Sequence, residues 1–150
     1  MKPLPHTYDI SVSGGAESYA AASGAGLPAM SMAPPTEFGG PGDAWSPEHL
    51  LLTAVAACFV FTFRAVAHAS NVRFDHIAVT AHGTVAKQAG AVRFTQIVLT
   101  PRISADASVD FDALRRCVDK AEDRCLVSAS LSTPVRIEPD FVSIAAPAAA

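Results

Sequence analysis

The sequence has few charged residues and few cysteines, and each shortage excludes a class of protein. Charged side chains make up 17% of the 150 residues, and the formal net charge is -3. Without a basic excess, neither a nucleic acid nor an anionic membrane surface is an expected partner. The three cysteines are an odd number without a CxxC pair, which argues against a disulfide framework and an ordinary zinc site. No glycine-rich phosphate loop follows a predicted strand, so a nucleotide is not expected. The spacing of His68, His76 and His82 predicts no metal site, and no cofactor is expected.

The sequence also lacks an apolar run long enough to cross a bilayer. The longest such run covers residues 50–63 and ends at Arg64. A transmembrane helix needs roughly 18 to 20 apolar residues, so this run is interpreted as a buried helix. The first residues contain neither an apolar segment nor a cleavage site of the secretory kind. We therefore expect a cytoplasmic, reducing location.

A long helix is predicted over residues 47–69. Ser46 is a favourable N-cap, Pro47 suits the first helical position, and Glu48 interacts favourably with the helix dipole. The helix would be about 34 Å long and would end near residues 70–71. Its apolar side chains point in all directions, so no single sheet face can cover it. A second copy of the chain is expected to cover the remainder.

The remaining elements are predicted from β-propensity, turn residues and helical spacing. The order of elements favours an α+β fold with helices on an antiparallel sheet and without βαβ alternation. We expect a single domain over residues 1–144 and a disordered tail of small residues over 145–150. Strands are predicted at Thr7–Val12, Glu17–Ala22, Met30–Met32, His76–Ala86, Ala91–Arg102 and Val135–Ile144, a turn-rich loop at residues 33–47, and a second helix capped by Asp110.

The cysteines admit an ordinary structural interpretation. A cysteine on an apolar helix is most often a small core residue, and this applies to Cys58 and more strongly to Cys117. Cys117 and Cys125 are about 12 Å apart along an intact helix, too far for a disulfide. Cys125 lies near the end of its predicted helix, where the chain can turn and present its sulfur to another element.

Two segments resemble one family. "SPEHLLLTAVAACF" and, some seventy residues later, "AEDRCLVSASL" are similar to the two-cysteine signature of the OsmC/Ohr family, the osmotically inducible and organic hydroperoxide resistance proteins. The resemblance implies an α+β fold with a long buried central helix, assembled as an intertwined homodimer with the active site at the dimer interface. It also implies a thiol peroxidase that reduces organic hydroperoxides and is regenerated by an external thiol reductant.

The resemblance assigns roles to individual residues. Cys58 would be the peroxidatic cysteine, Cys125 the resolving cysteine, and Glu48 the active-site carboxylate. On one continuous helix Glu48 is about 15 Å from Cys58 along the axis, so it would act from the partner chain. As an ordinary first-turn residue it would only interact with the dipole. An apolar substrate pocket could be built from Trp45, Leu51, Phe59, Phe61 and Phe63.

The sequence also departs from the family pattern. Residues 1–63 contain no arginine, whereas the family uses an arginine from this part of the chain to stabilise the thiolate. Glu37 stands near the expected place, and Leu126 stands where many members have proline. His49 and Arg64 are possible replacements for the missing cation. Each has an ordinary alternative, a partly solvated first-turn residue for His49 and a solvent-facing side chain for Arg64.

Two other functions compete with the peroxidase. The missing arginine favours a divergent member that binds an apolar small molecule at the dimer interface without turnover. A Cys/His hydrolase would need a base within reach of Cys58 and a third orienting group, which the spacing of the histidines does not supply.

Overall fold

A computed structural model describes residues 3–16 and 19–144, so Glu17 and the predicted tail at 145–150 lie outside the described residues. The chain divides into two compact units, residues 1–51 and 52–150. The long helix begins in the first unit and continues through the second.

The first unit contains a three-stranded antiparallel sheet. Its strands follow chain order, with β1 at Ser11–Gly14, β2 at Ala20–Ser23 and β3 at Met30–Met32. The third strand has its predicted bounds, but β1 begins later than predicted. Because β2 ends at the turn where the Leu27 amide donates to the Gly24 carbonyl at 3.1 Å, residues 7–10 have no strand residue opposite them in β2.

The predicted long helix, α1, spans Pro47–Ala69 and is confirmed with its predicted bounds. At its start the Ser46 hydroxyl accepts a hydrogen bond from the His49 amide at 3.3 Å, which is the N-cap interaction. A 3-10 turn at Thr36–Phe38 interrupts the loop that leads to this point.

The C-terminus of α1 is capped by two backbone hydrogen bonds. Asn71 has φ 53°, in the left-handed region. Its amide donates to the His68 carbonyl at 3.1 Å, and the Val72 amide donates to the Ala67 carbonyl at 3.0 Å. This is the Schellman arrangement, which explains why the helix ends at the predicted place.

One face of α1 enters the core of the second unit. Val55, Phe59 and Phe63 are fully buried, whereas Phe61 is 64% exposed. Burial of one such side chain contributes about 1.5–3 kcal/mol. A single chain therefore covers one stripe of the helix rather than its whole circumference. Over its full length α1 is long and apolar enough to cross a membrane, which corrects the expectation drawn from the shorter run at residues 50–63, but a core helix of a soluble protein passes the same test.

The second unit is organised around a long hairpin. Strand β4 spans His76–Gln88 and β5 spans Ala91–Asp106. They pair antiparallel from His76 opposite Ser104 to Gln88 opposite Ala91, with one register shift between Thr84 and Val85. Ala89 and Gly90 form the turn with φ 50° and 84°, the two positive values that a type I′ turn requires. The predicted hairpin is confirmed, with β4 extending further towards the turn, to Gln88, and β5 extending further at its C-terminal end, to Asp106.

The chain then crosses back over the sheet. Helices α2, Phe111–Asp123, and α3, Leu126–Ala129, lead to β6, Val135–Ile137, and β7, Asp140–Ile144. Both final strands pair parallel with β5. The sheet is consequently mixed, which corrects the expected antiparallel sheet without βαβ alternation, while the α+β class is confirmed.

The predicted final strand is interrupted. Strands β6 and β7 keep the same register against β5, with Ile137 opposite Leu99 and Asp140 opposite Arg102. Pro139 lies between them and has no backbone N–H to donate to the ladder. The single strand predicted over Val135–Ile144 is therefore divided by Pro139 into β6 and β7.

Replacing the cap of α2 tests how this crossover is stabilised. The Asp110 side chain accepts a hydrogen bond from the Asp112 amide at 2.9 Å. We expect Asp110→Ala to lower the free energy of unfolding by about 1 kcal/mol. The exposed ion pair between Asp110 and Arg116 contributes little to the free energy of unfolding. Denaturant unfolding beside Asp119→Ala, an exposed acid within the same helix, measures this; an equal loss in both variants would contradict the capping role.

Candidate active site

Cys58 and Cys125 contact each other within the second unit. Cys58 lies on α1 and packs, partly buried, against the core, whereas Cys125 is 1% exposed. The two side chains are near enough to interact, because the Cys58 thiol raises the pKa of Cys125. Both are free thiols in this structure. The fold thus places the two predicted redox cysteines as an adjacent, reduced pair.

A break between two helices positions Cys125. Helix α2 ends at Asp123, two residues before the cysteine, so Cys125 lies outside the helix in which it was predicted. Cys125 adopts an extended conformation as the N-cap residue of α3, and its carbonyl accepts from the Ala129 amide at 2.9 Å. Its own amide donates to the Glu122 carbonyl at 3.1 Å. The sulfur is therefore presented by a fixed turn rather than by a loose loop.

The surroundings of Cys125 favour its neutral thiol. Burial raises the pKa of Cys125, and hydrogen bonds from Ser128 act in the opposite direction. The hydrogen bond and the charge interaction with Cys58 raise the pKa of Cys125 further. The Ser128 hydroxyl donates to the Cys125 sulfur at 3.2 Å. The sequence motif includes Ser128, but no role was predicted for it. Its position three residues after Cys125, the N-cap of α3, is the signal that could have indicated this contact.

Glu48 lies in the first unit, on the first turn of α1. One carboxylate oxygen, Oε2, is buried and has no hydrogen-bond partner in the described part of the chain. Glu48 also lines a cavity of about 440 Å³ formed by first-unit residues. The neighbouring His49 ring lies 2.9 Å from the Ser46 hydroxyl through Nδ1 and packs edge-on against Trp45. His49 is thereby engaged with its own helix cap.

The side chains predicted to form an apolar pocket lie in different places. Phe59 is fully buried and stacks on Phe63, with ring centroids 6.3 Å apart. Phe61 is exposed on another face of α1 because it is two residues, about 200°, further around the helix. In the first unit, Trp45 is exposed and Leu51 is half-buried. One chain does not bring Phe59 and Phe61 to a common surface.

Neither Arg64 nor Cys117 belongs to the pair formed by Cys58 and Cys125. Arg64 is exposed and lines a second cavity, of about 740 Å³, together with His68 and Arg73. Cys117 is 2% exposed in the core face of α2. Among residues 3–16 and 19–144, no group of three or more His, Cys, Asp or Glu side chains is arranged to hold a metal ion.

Known proteins match both the sequence and the fold. A family model described as OsmC-like protein matches residues 40–140, which include Glu48, Cys58 and Cys125. The uncharacterized protein YmaD of Bacillus subtilis is 29% identical over 107 residues, or 69% of this chain and 71% of that protein.

Solved structures share the architecture at low identity. An OsmC-like protein of unknown function from Vibrio cholerae has a TM-score of 0.83 at 16% identity, covering 90% of this chain and 99% of that one. An organic hydroperoxide resistance protein from Elizabethkingia anophelis has a TM-score of 0.76 at 20% identity, covering 96% of this chain and 100% of that one. At these identities the likeness shows a common fold.

Removing the Ser128 hydroxyl tests its effect on Cys125. We expect Ser128→Ala to raise the pKa of Cys125, because the variant loses a donor that favours the thiolate. The carbon-13 chemical shift of the Cys125 Cβ, followed against pH, reports this titration directly. Ser130→Ala is the matched control, since that hydroxyl donates to the Leu126 carbonyl instead. An unchanged or lowered pKa in Ser128→Ala would show that the hydroxyl does not act on this sulfur.

Proposed function

This chain belongs to the OsmC-like protein family, and we propose that it is a thiol-dependent peroxidase that reduces organic hydroperoxides. The observation that carries the proposal is the pair of neighbouring thiols, Cys58 and Cys125, of which Cys58 is partly exposed and Cys125 is buried. A fold neighbour named an organic hydroperoxide resistance protein supports the same chemistry.

Cys58 is the attacking sulfur in this proposal. Its thiolate attacks the terminal oxygen of the hydroperoxide, an S–O bond forms, and the O–O bond breaks. The leaving alkoxide takes a proton and departs as an alcohol, while Cys58 becomes a sulfenic acid. The neutral Cys125 thiol lies beside the Cys58 sulfur, because its interaction with Cys58 raises the pKa of Cys125.

Cys125 resolves the oxidised sulfur. It attacks the sulfenic sulfur of Cys58, forming a disulfide, and its proton leaves with the hydroxyl group as water. The two sulfurs are already neighbours, so this step needs no large rearrangement of the fold. An external dithiol then reduces the disulfide by thiol–disulfide exchange and returns both cysteines to thiols.

An apolar substrate suits the surroundings of Cys58. The proposed substrate is an organic hydroperoxide, because each methylene that is buried on binding contributes about 0.8 kcal/mol. Phe61, three residues from Cys58 and exposed on α1, offers an apolar surface beside the thiol.

A homodimer in the cytoplasm completes the proposal. A second copy would cover the exposed apolar face of α1, and by the family resemblance Glu48 would act on Cys58 of the partner chain. A reducing compartment keeps the two cysteines in the thiol state that the catalytic cycle requires.

Substituting each cysteine separately tests the proposed cycle. Cys58→Ser is expected to abolish turnover, because it removes the attacking sulfur. Cys125→Ser is expected to retain one oxidation of Cys58 but to form no intramolecular disulfide. Stopped-flow thiol oxidation with cumene hydroperoxide and hydrogen peroxide, followed by mass spectrometry of the product, measures both effects. Oxidation is expected to be faster with the organic peroxide.

Cys117→Ala is the matched control for these variants. It changes a buried cysteine that takes no part in the proposed cycle, so the rate of thiol oxidation should stay at the wild-type value. A disulfide that still forms in Cys125→Ser would assign the resolving role to Cys117 or to a second chain and contradict the proposed pair.

A second candidate function is the binding of an apolar small molecule without turnover. The absence of arginine from residues 1–63 and the exposure of Phe61 favour it. Thiol loss no faster than that of free cysteine, together with saturable binding of cumyl alcohol, would support this binding function in place of the peroxidase.

A further inference from the structure

We propose that the cavity at the C-terminal end of α1 binds a small organic oxyanion, a carboxylate or a phosphate monoester with an apolar substituent, through Arg64 and Arg73. The cavity has a volume of about 740 Å³ and is lined by second-unit residues. Neither Cys58 nor Cys125 is among the described residues that line it, so the proposal goes beyond the peroxidase.

The positive charge in this cavity has no acid beside it. The described residues of its wall include both arginines and His68, but neither an aspartate nor a glutamate. Neither arginine forms an ion pair within the described part of the chain. The pKa of Asp106 is lowered mainly by hydrogen bonds from Ser108, and the charge of Arg73 makes the smallest contribution. Both guanidinium groups are therefore available to an anion from solution.

The dipole of α1 does not account for the two arginines. A helix favours cations within its last turn, which here contains His68. Arg64 lies before that turn, and Arg73 lies beyond the end of the helix. The negative end of the dipole opposes an anion, but the carbonyls of Ala67 and His68 are engaged in the capping hydrogen bonds. The arginines thus add a positive surface that the helix itself does not require.

The chemistry of the wall matches an oxyanion with an apolar body. A guanidinium group presents its N–H donors as a planar fork that fits two oxygens of a carboxylate or a phosphate. The Asn71 side chain, which also lines the cavity, can donate two further N–H groups. Val72 and Phe74 form an apolar part of the wall and pack against the core. A ligand with a negative head group and an apolar substituent can contact both parts.

The segment that carries Arg73 is anchored on both sides. Before it, the Val72 amide is held in the cap of α1. After it, the Phe74 ring packs edge-on against Phe63, with centroids 5.1 Å apart, and the Asp75 amide donates to a carbonyl of β5 at 2.8 Å. Such preorganisation reduces the entropy lost on binding.

Calorimetric titration of the full chain with n-hexanoate and n-hexyl phosphate tests the proposal. We expect saturable binding of at least one of these anions, and binding of hexanol that is at least about fivefold weaker because it lacks the negative charge. Raising the ionic strength from about 0.01 M to about 0.15 M should weaken the binding of the anion but not that of hexanol, because salt screens exposed charges. The anion that binds more tightly identifies the preferred head group.

Substitutions locate the site. Arg64→Gln and Arg73→Gln should each weaken binding of the anion by about fivefold or more, because a neutral amide replaces the charged donor. Arg64→Lys should weaken binding less than Arg64→Gln, since it keeps the charge and loses only the planar fork. Arg93→Gln is the matched control, an exposed arginine of β5 outside the cavity whose removal should leave the affinity unchanged.

Three results would overturn the proposal. Equal affinity for hexanol and for both anions would exclude recognition of the charge. Unchanged affinity in both Arg64→Gln and Arg73→Gln would place the anion elsewhere. Weaker self-association of Arg64→Gln in sedimentation velocity, with no anion binding to the wild type, would show that an acidic group of a second copy occupies the cavity. Because none of these measurements follows thiol oxidation, they are independent of the peroxidase proposal.

Discussion

The burial of Val55, Phe59 and Phe63 in the second unit fixes the rotation of α1, and the position of Cys58 follows from it. Successive residues of an α-helix are about 100° apart, so a buried stripe leaves Cys58 on its flank and Phe61 outside. The helix lies close to the sheet at Gly83, where a Cβ would come within 2.8 Å of the Leu52 side chain. Core packing therefore decides which side of the thiol is buried and which side meets solvent.

The same packing makes the two cysteines unequal, as a two-thiol cycle requires. An attacking sulfur must be reached by a peroxide, whereas a resolving sulfur is protected from overoxidation when it is buried and protonated. Burial alone does not create such a pair, because Cys117 is nearly as buried as Cys125. The break between α2 and α3 distinguishes Cys125, since it turns the sulfur out of the helical register and towards Cys58.

The sequence predicted those features whose causes are local. Ser46 and Asn71 specify the ends of α1, and Ala89 with Gly90 specifies the hairpin turn, because each acts on its own neighbouring backbone groups. The parallel pairing of β6 and β7 was missed, since the direction of a returning strand depends on the path of the whole crossover. For the same reason the contact of Cys58 with Cys125 was available only through the family resemblance. The roles of Glu48, His49 and Arg64 stay predictions.

Charge composition connects the missing arginine to the orphan carboxylate of Glu48. Residues 1–63 lack an arginine for a thiolate, and the structure adds a buried carboxylate oxygen that lacks a hydrogen-bond partner. Both follow from a first unit that has several acids but, beyond Lys2, no lysine or arginine. Because a buried carboxylate oxygen without a hydrogen bond is destabilising, Glu48 is the buried acid of the described residues that the single chain leaves unsatisfied.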